Sequence, residues 1–459
     1  MSDVIGGVDY AKIKGKLEEV WQSGGAGRET VFSRGSATFR EYSGNPLIEP
    51  SRRSGDWREV GVLDPLVVLN PEDGKYYMLV SGRARDLSTQ IGLFISDDGL
   101  HWEEHENNPV ISKGGAGEFD EKALGVGGGT VVWDQESGKW RLYYWGRNAA
   151  GVVSIGVAES DDLKNWTKRS ENPVITSRVA NRSTGWSCCV FNRTESPKWI
   201  AIVRDVGRFQ VSGGKALFEV YTSDDGISWT WAREFGLAYD VVNPLHENVF
   251  PMVPEVTRAH KLFGLFVILY EAADIIYRGQ YYISALVSYD GIHWFQIPKP
   301  IYHDPGYGQR SPFHQTLHPC LLLGKDGALL YHAHAYFSKD LGGPVEWIEV
   351  AFMDPKWLLE VLTSQGVYYI WDNESVAANT NGYMYANKLN FREATIYFKS
   401  DTSGDLTVEV DPDGQGDWYT LYTRTGITED VSKTTYDFTH LRMRFSVEAT
   451  LTAKVVLKK

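Results

Sequence analysis

At 459 residues the chain is too long for one ordinary hydrophobic core and suits two or three domains. Its formal net charge of −13 excludes phosphate-backbone binding, which needs clustered Lys and Arg, so no nucleic-acid partner is expected. No stretch is apolar enough to cross a membrane as a helix, and residues 1 to 5 show no basic region leading into a long apolar run, so a cytoplasmic protein handling neutral ligands is expected.

Hydrophobic residues make up 42% and aromatic residues 13%, with 46 glycines. Flat rings pack well on pleated faces and glycines serve tight turns, so this composition favours an all-β architecture. Residues 1–34 form an N-terminal segment in which Ile13, Leu17 and Val20 mark a short surface helix over residues 10 to 21. Cys188, Cys189 and Cys320 are the three cysteines, too few and too poorly spaced for a disulfide framework. No Cys-x-x-Cys or His-Glu-x-x-His spacing occurs, so no metal-ligating set is expected.

Residues 35–362 are organised by a repeat. Ser96-Asp97-Asp98-Gly99-Leu100-His101-Trp102 recurs at Ser160 to Trp166, at Ser223 to Trp229 and at Ser288 to Trp294, with a shortened copy ending at Trp357. The tryptophans fall 64, 63, 65 and 63 residues apart. Within the first unit, residues 66–69, 76–81 and 91–96 read as strands, and a short polar strand follows Trp102. Four short antiparallel strands per unit, in five units, predict a five-bladed β-propeller. The Ser and Asp of each Ser-x-Asp-Gly-x-x-Trp segment suit a hairpin turn between third and fourth strands, with Trp packed between blades. A second phrase, Asn-Pro-aliphatic-Ile, recurs at Asn45, Asn108 and Asn172. Its first copy precedes blade one, which suggests that the N-terminal segment closes the ring against blade five. From about residue 365 the grammar changes to Thr-rich alternating strands, predicting a C-terminal β-sandwich over 365–459. A sugar-binding role, a homo-oligomer contact and a structural buttress are equally open for that domain.

In a propeller blade, residues around the start of the first strand and the end of the second converge on one mouth. The candidates there are Asp64, Glu118 and Asp120, Trp186, Glu247, His314 and His318 before the first strands. After the second strands come Arg83, Arg147, Arg204 with Asp205, Glu271, and His332 with His334. Carboxylates among Arg, His and Trp suit acid–base work on sugars: one takes a proton from water or attacks the anomeric carbon, and another protonates the leaving oxygen.

The blade period, Asp64-Pro65-Leu66-Val67 and the Ser-x-Asp-Gly-x-x-Trp hairpins resemble the five-bladed glycoside hydrolases, both the arabinanase and β-xylosidase group and the invertase and inulinase group. That resemblance implies hydrolysis of oligosaccharides, furanosides among them, with Asp64 as base or nucleophile and Glu247, in His246-Glu247-Asn248-Val249-Phe250-Pro251, as acid. A further Asp that tunes the acid in those families has no counterpart. Trp186-Ser187-Cys188 stands in its place, and Asp205 would be a substitute; Glu271, Asp205 and His318 are, in that order, the alternatives to Glu247 as acid. Arg83, Arg147, Trp186, Arg204, His314, His318 and His332 fall to substrate binding. No cofactor is required on this reading, and a calcium or sodium ion on the axis near His318 would be structural. A related group of marine-oligosaccharide hydrolases implies instead that His318 donates a proton. Two alternatives stay open. A likeness to the mannoside-phosphorylase propellers implies that Arg83, Arg147 and Arg204 hold phosphate in place of water. The missing third Asp favours a non-catalytic sugar-binding propeller.

Overall fold

A computed structural model describes residues 4–5, 8–9, 29–31, 38–42, 44–194, 196–206, 217–236, 255–262, 265–274, 280–288, 290–292, 294–296, 315–323, 328–338, 343–353, 367–385, 393–411, 418–435 and 440–458. The helix expected over residues 10 to 21 lies outside them. Blade one is the antiparallel run Gly61–Leu69, Tyr76–Arg83, Thr89–Ser96 and Glu103–Glu104. Blade two is Ala123–Asp134, Lys139–Arg147, Val153–Ser160 and Thr167–Lys168, and blade three is Cys188–Asn192, Trp199–Arg204, Leu217–Ser223 and Thr230–Gly236. Blade four is Glu255–Leu262, Leu265–Asp274, Gln280–Ser288 and Phe295–Gln296, and blade five contains Gln315–Leu323, Ala328–Ser338 and Gly343–Met353. The first strands touch in cyclic order, blade five against blade one included, so the sheets close around one axis. Every residue of Gly61–Leu69 is buried, because each blade is covered on both faces by its neighbours. That is why these strands read as unbroken apolar runs instead of alternating ones.

The hairpins do what their residue types predict. In blade one the Ser96 hydroxyl accepts from the Gly99 N–H at 2.8 Å, and the Asp98 carboxylate accepts from the Leu100 and His101 N–H groups at 2.8 Å each. Ser223 and Asp225 repeat the arrangement in blade three. Trp102 then meets Tyr331 of blade five edge-on at 6.1 Å, and Trp229 meets Tyr143 of blade two at 6.1 Å. Tyr331 also donates to the Gly99 carbonyl, which brings its hydroxyl to 2.8 Å from where a Cβ on Gly99 would sit. In blade two a leucine takes the glycine's place, and Leu163 holds φ of 64°. Its side chain is 1% exposed. Burying it is worth about 2 kcal/mol, which exceeds the roughly 1 kcal/mol cost of the left-handed backbone.

The Asn-Pro phrase is a latch between blade elements. Asn108 pairs its side-chain amide with both the N–H and the carbonyl of Leu93, at 2.7 and 2.9 Å, and Asn172 does the same with Val157 at 2.8 and 2.9 Å. Asn45 grips Val350 of blade five in the same way, at 3.0 Å twice. Beside it, Thr38–Glu41 pairs antiparallel with Gly343–Met353, aligning Phe39 with Met353 and Glu41 with Ala351. Blade five therefore takes its fourth strand from Thr38–Glu41, ahead of blade one in the chain, and this closes the ring. Asn45→Ala removes two backbone contacts at that closure and should lower stability by about 1–3 kcal/mol, read as a lower midpoint in urea with an unchanged slope.

The strands from Val367–Val376 to Ala449–Lys458 form a separate sheet. Its long strand Glu393–Asp411 is bulged between Lys399 and Leu406. It pairs with Ala449–Lys458 before the bulge and with His440–Phe445 after it. Phe398 and Phe445 meet at 5.0 Å, so the two halves share a buried face, the layered arrangement of a sandwich.

Candidate functional site

At the axis, four first strands carry bulges at corresponding places, that of blade four lying between Val256 and Ala259. In blade one the register jumps between Leu63 and Leu66, in blade five between Leu317 and Cys320, and in blade two opposite Tyr143 to Trp145. Asp64 and His318 occupy the first two with φ of 57° and 54°, and Gly127 lies in the third with φ of 48°. A bulge re-aims a side chain that a regular strand would point elsewhere, and holding a non-glycine residue in the left-handed region costs about 1–2 kcal/mol that the surrounding contacts must offset. Here the bulges converge. His318 Nδ1 lies 2.9 Å from Asp64 Oδ1, and Ser81 donates to Oδ2. The Ser81 hydroxyl itself accepts from the Val126 N–H of blade two at 2.9 Å. Asp64 is 2% exposed, and burial alone would raise its pKa. His318, Ser81 and the Gly127 N–H outweigh burial and hold the carboxyl below its ordinary value. A Cβ on Gly127 would run into the Trp186 carbonyl and the Trp145 indole, so only glycine allows this approach.

Glu346 completes the cluster. It lies on the third strand of blade five, bridged in parallel to Gly61 of blade one. Arg83 donates to its Oε1, while Oε2 is buried without a protein partner and fills the space where a Cβ on Gly61 would sit. Burial first, then the charge of Asp64, raises the Glu346 carboxyl to about 7 against the opposing pull of Arg83 and His318. One carboxyl is thus held ionised and its neighbour is held protonated toward neutrality. Pairs whose environments push their affinities for protons apart are the usual basis of acid–base roles. Glu346 lies on a third strand, away from the ends of first and second strands where the sequence places the mouth. The sequence offers two acids, Glu346 and Glu349, in Val345-Glu346-Trp347-Ile348-Glu349-Val350, a run otherwise suited to a buried strand, and their odd spacing puts them on opposite faces.

The remaining candidates separate by position. Arg83, Arg147 and Arg204 end the second strands of blades one to three. Arg147 is half-buried, and Arg204 is 5% exposed with its stem beside Gly185. Trp186 precedes the first strand of blade three and is 41% exposed. Asp205 is 1% exposed and accepts from the Ser177 hydroxyl at 2.9 Å and the Arg178 N–H at 3.1 Å, so it pins the linker into blade three. Asp120 pairs with Lys168 at 2.6 Å. Blade one shows the same pair with charges exchanged, Arg58 with Glu104 at 2.6 Å, which makes the Asp120 pair a structural repeat.

Three placements differ from the sequence expectation. Asp64 and His318 lie inside their first strands, because pairing resumes beyond each bulge. Glu271 lies inside Leu265–Asp274, with its backbone opposite Glu255. His332 and His334 lie inside Ala328–Ser338, where His332 is fully buried and His334 stacks on Trp347 at 4.9 Å. These second strands run several residues past their apolar stretches. Glu247 and His314 lie outside the described residues. Among the described residues, no cluster of three His, Cys, Asp or Glu side chains suits a metal ion, and no helix is long and apolar enough to cross a membrane.

No family model matches the chain, and no curated protein matches it in sequence. Solved structures do. A β-1,2-mannobiose phosphorylase from Listeria innocua aligns at a TM-score of 0.54 with 14% identity, over 71% of this chain and 99% of that one. A glycosyl hydrolase from Bacteroides ovatus aligns at 0.52 with 16% identity, over 71% and 96%. A member of the GH130 family, described as mannoside phosphorylases that include hydrolases of β-1,2 mannosidic linkages in Candida mannan, aligns at 0.50 with 16% identity, over 72% and 97%. At these identities the likeness is one of fold alone.

Proposed function

We propose that the chain cleaves glycosidic bonds of oligosaccharides by hydrolysis, using a pair of carboxyl groups at the axial end of the propeller. The observation that carries this reading is the placement of two buried carboxyl groups in one axial cluster, Asp64 held on its bulge by His318 and Ser81 and Glu346 held by Arg83, in surroundings that push their proton affinities apart. Asp64, ionised, takes a proton from water as the water oxygen bonds to the anomeric carbon, or attacks that carbon itself. The bond from the anomeric carbon to the leaving oxygen breaks, its electron pair leaves with the oxygen, and a carboxylic acid supplies the proton. Glu346, raised to about 7, holds such a proton in about half of the molecules at neutral pH. Glu247, which the family resemblance points to, is the second candidate for that step. Arg83 orients Glu346, and the exposed ring of Trp186 offers a face for a sugar to stack on. Proton transfers suffice for the reaction, so it requires no cofactor. A cation beside His318 would serve the scaffold.

One observation favours phosphorolysis as a second reading: a phosphorylase is among the structures that share the fold. Arg83, Arg147 and Arg204 would then hold phosphate. The discriminating experiment is a screen of aryl glycosides and natural oligosaccharides, with and without inorganic phosphate and with a chelator. Turnover independent of both additions is expected. A strict phosphate requirement replaces hydrolysis with phosphorolysis, and sugar binding with no turnover under any condition removes the enzymatic reading altogether.

A further inference from the structure

At the mouth end of blade two, that blade and the linker into blade three line a cleft of about 1150 Å³. Neither Asp64, His318 nor Glu346 lines it. One wall is the loop after the second strand of blade two, with Asn148 and Ala150, and the other is the linker, with Val179, Ala180 and Asn181. Phe119 lies between them. The cleft is at the same end of the blade as Arg147, which ends the strand before that loop. Its far wall also leads to the axis along the chain. Asp205 pins the linker at Ser177 and Arg178, Thr184 donates to the Val153 carbonyl at 3.0 Å, and Gly185 donates to the Arg204 carbonyl at 2.6 Å. The next residue is the exposed Trp186, whose carbonyl abuts Gly127, the residue that donates to Asp64.

The chemistry of the walls selects a class of ligand. Lys168 is neutralised by Asp120 at 2.6 Å, and Arg169 by Glu159 and Glu171 at 3.1 and 2.7 Å. Of the three cations that line the cleft, Lys168, Arg169 and Arg182, an anionic ligand would have to compete with these partners for the first two. A neutral ligand rich in hydroxyls does not, because each hydroxyl both donates and accepts and can bridge amide, hydroxyl and paired charged groups. The apolar patches of Phe119, Val152 and Val179 suit the C–H faces of sugar rings. A volume of this size exceeds the few hundred Å³ of a small-ligand pocket.

We propose that this cleft binds the neutral sugar units of an oligosaccharide remote from the bond being cleaved, with residues 176–182 of the linker as one wall. The inference rests on the glycosidic reading above and extends it: the preferred substrate is a chain several units long, and length is sensed between blades two and three. Calorimetric titration of the intact protein with neutral mannose and arabinose oligosaccharides of two to six units tests it. Two variants block the cleft from opposite walls, Ala150→Trp and Ala180→Trp, both at exposed positions outside the axial cluster. Affinity should rise with chain length in the parent. In both variants that rise should be lost, leaving the longer oligosaccharides about tenfold weaker while the two-unit sugar and the thermal midpoint are unchanged. The proposal is overturned if affinity in the parent is independent of length, if no member of either series binds, or if the length dependence survives both blocks. Turnover is measured separately on the same samples. Length-dependent binding without turnover sinks the hydrolytic reading and leaves the cleft standing, whereas turnover with no length dependence does the reverse.

Discussion

Asp64→Asn is expected to lower turnover by about 10²- to 10⁴-fold, the range a positioned acid or base contributes, while sugar affinity stays within about threefold. The side chain is 2% exposed and gripped from three blades, so asparagine of the same shape can keep the bulge and its φ of 57°. It cannot keep the charge. A neutral amide neither takes a proton from water nor attacks an anomeric carbon, and it no longer offers His318 an anionic partner at 2.9 Å. The parent carboxyl sits below its ordinary pKa, so it remains ionised well into the acid range, and activity near pH 5 should not be limited by it. Steady-state kinetics on the best substrate, together with calorimetric binding, separate the two effects. Retention of turnover within about twofold would falsify the assignment and leave Asp64 as an inter-blade clasp.

Much of this arrangement could be read from the chain because it is encoded locally. Ser96, Asp98 and Gly99 bond to backbone within three residues, so their spacing alone predicts the turn, and each copy repeats the prediction. Asn45 was legible for a related reason: its phrase recurs where blades two and three begin, so a copy ahead of blade one had to belong to another blade. The axial site is a different kind of information. That Asp64 would lie at the axis followed from its place in blade one. That a histidine of blade five would hold one oxygen, and a hydroxyl of blade one the other, depended on bulges whose register no sequence pattern marks. Glu346 was invisible for the same reason. Its proton affinity is set by burial against Gly61 and by Asp64, Arg83 and His318, residues up to 285 positions away that only ring closure brings near. Asp120 shows the opposite error. Its position at the mouth suggested chemistry, and only comparison with the reversed Arg58 and Glu104 pair shows the scaffold role.

Glu346→Gln should have two consequences of opposite sign. The first is on stability. The folded carboxyl titrates at about 7, above its ordinary 4.5, so the fold favours the protonated form. That contribution is complete below about pH 4.5 and is lost as pH rises through 7, and the parent should weaken by up to about 3 kcal/mol between pH 4.5 and 8. Glutamine is neutral throughout and keeps an acceptor for Arg83. The variant should therefore match the parent near pH 5 and unfold at higher denaturant than the parent at pH 8. The second consequence is on catalysis. An amide has no proton to give, so substrates with poor leaving groups should lose about 10²-fold or more in kcat/KM, and activated aryl glycosides much less. The parent's loss of kcat/KM above neutral pH should disappear from whatever activity remains, because the group that titrates there is gone. A purely structural Glu346 would change the stability profile and leave both the leaving-group dependence and the basic limb as they were. In that event the proton comes from elsewhere, and Glu247→Gln should show the kinetic pattern that Glu346→Gln lacks.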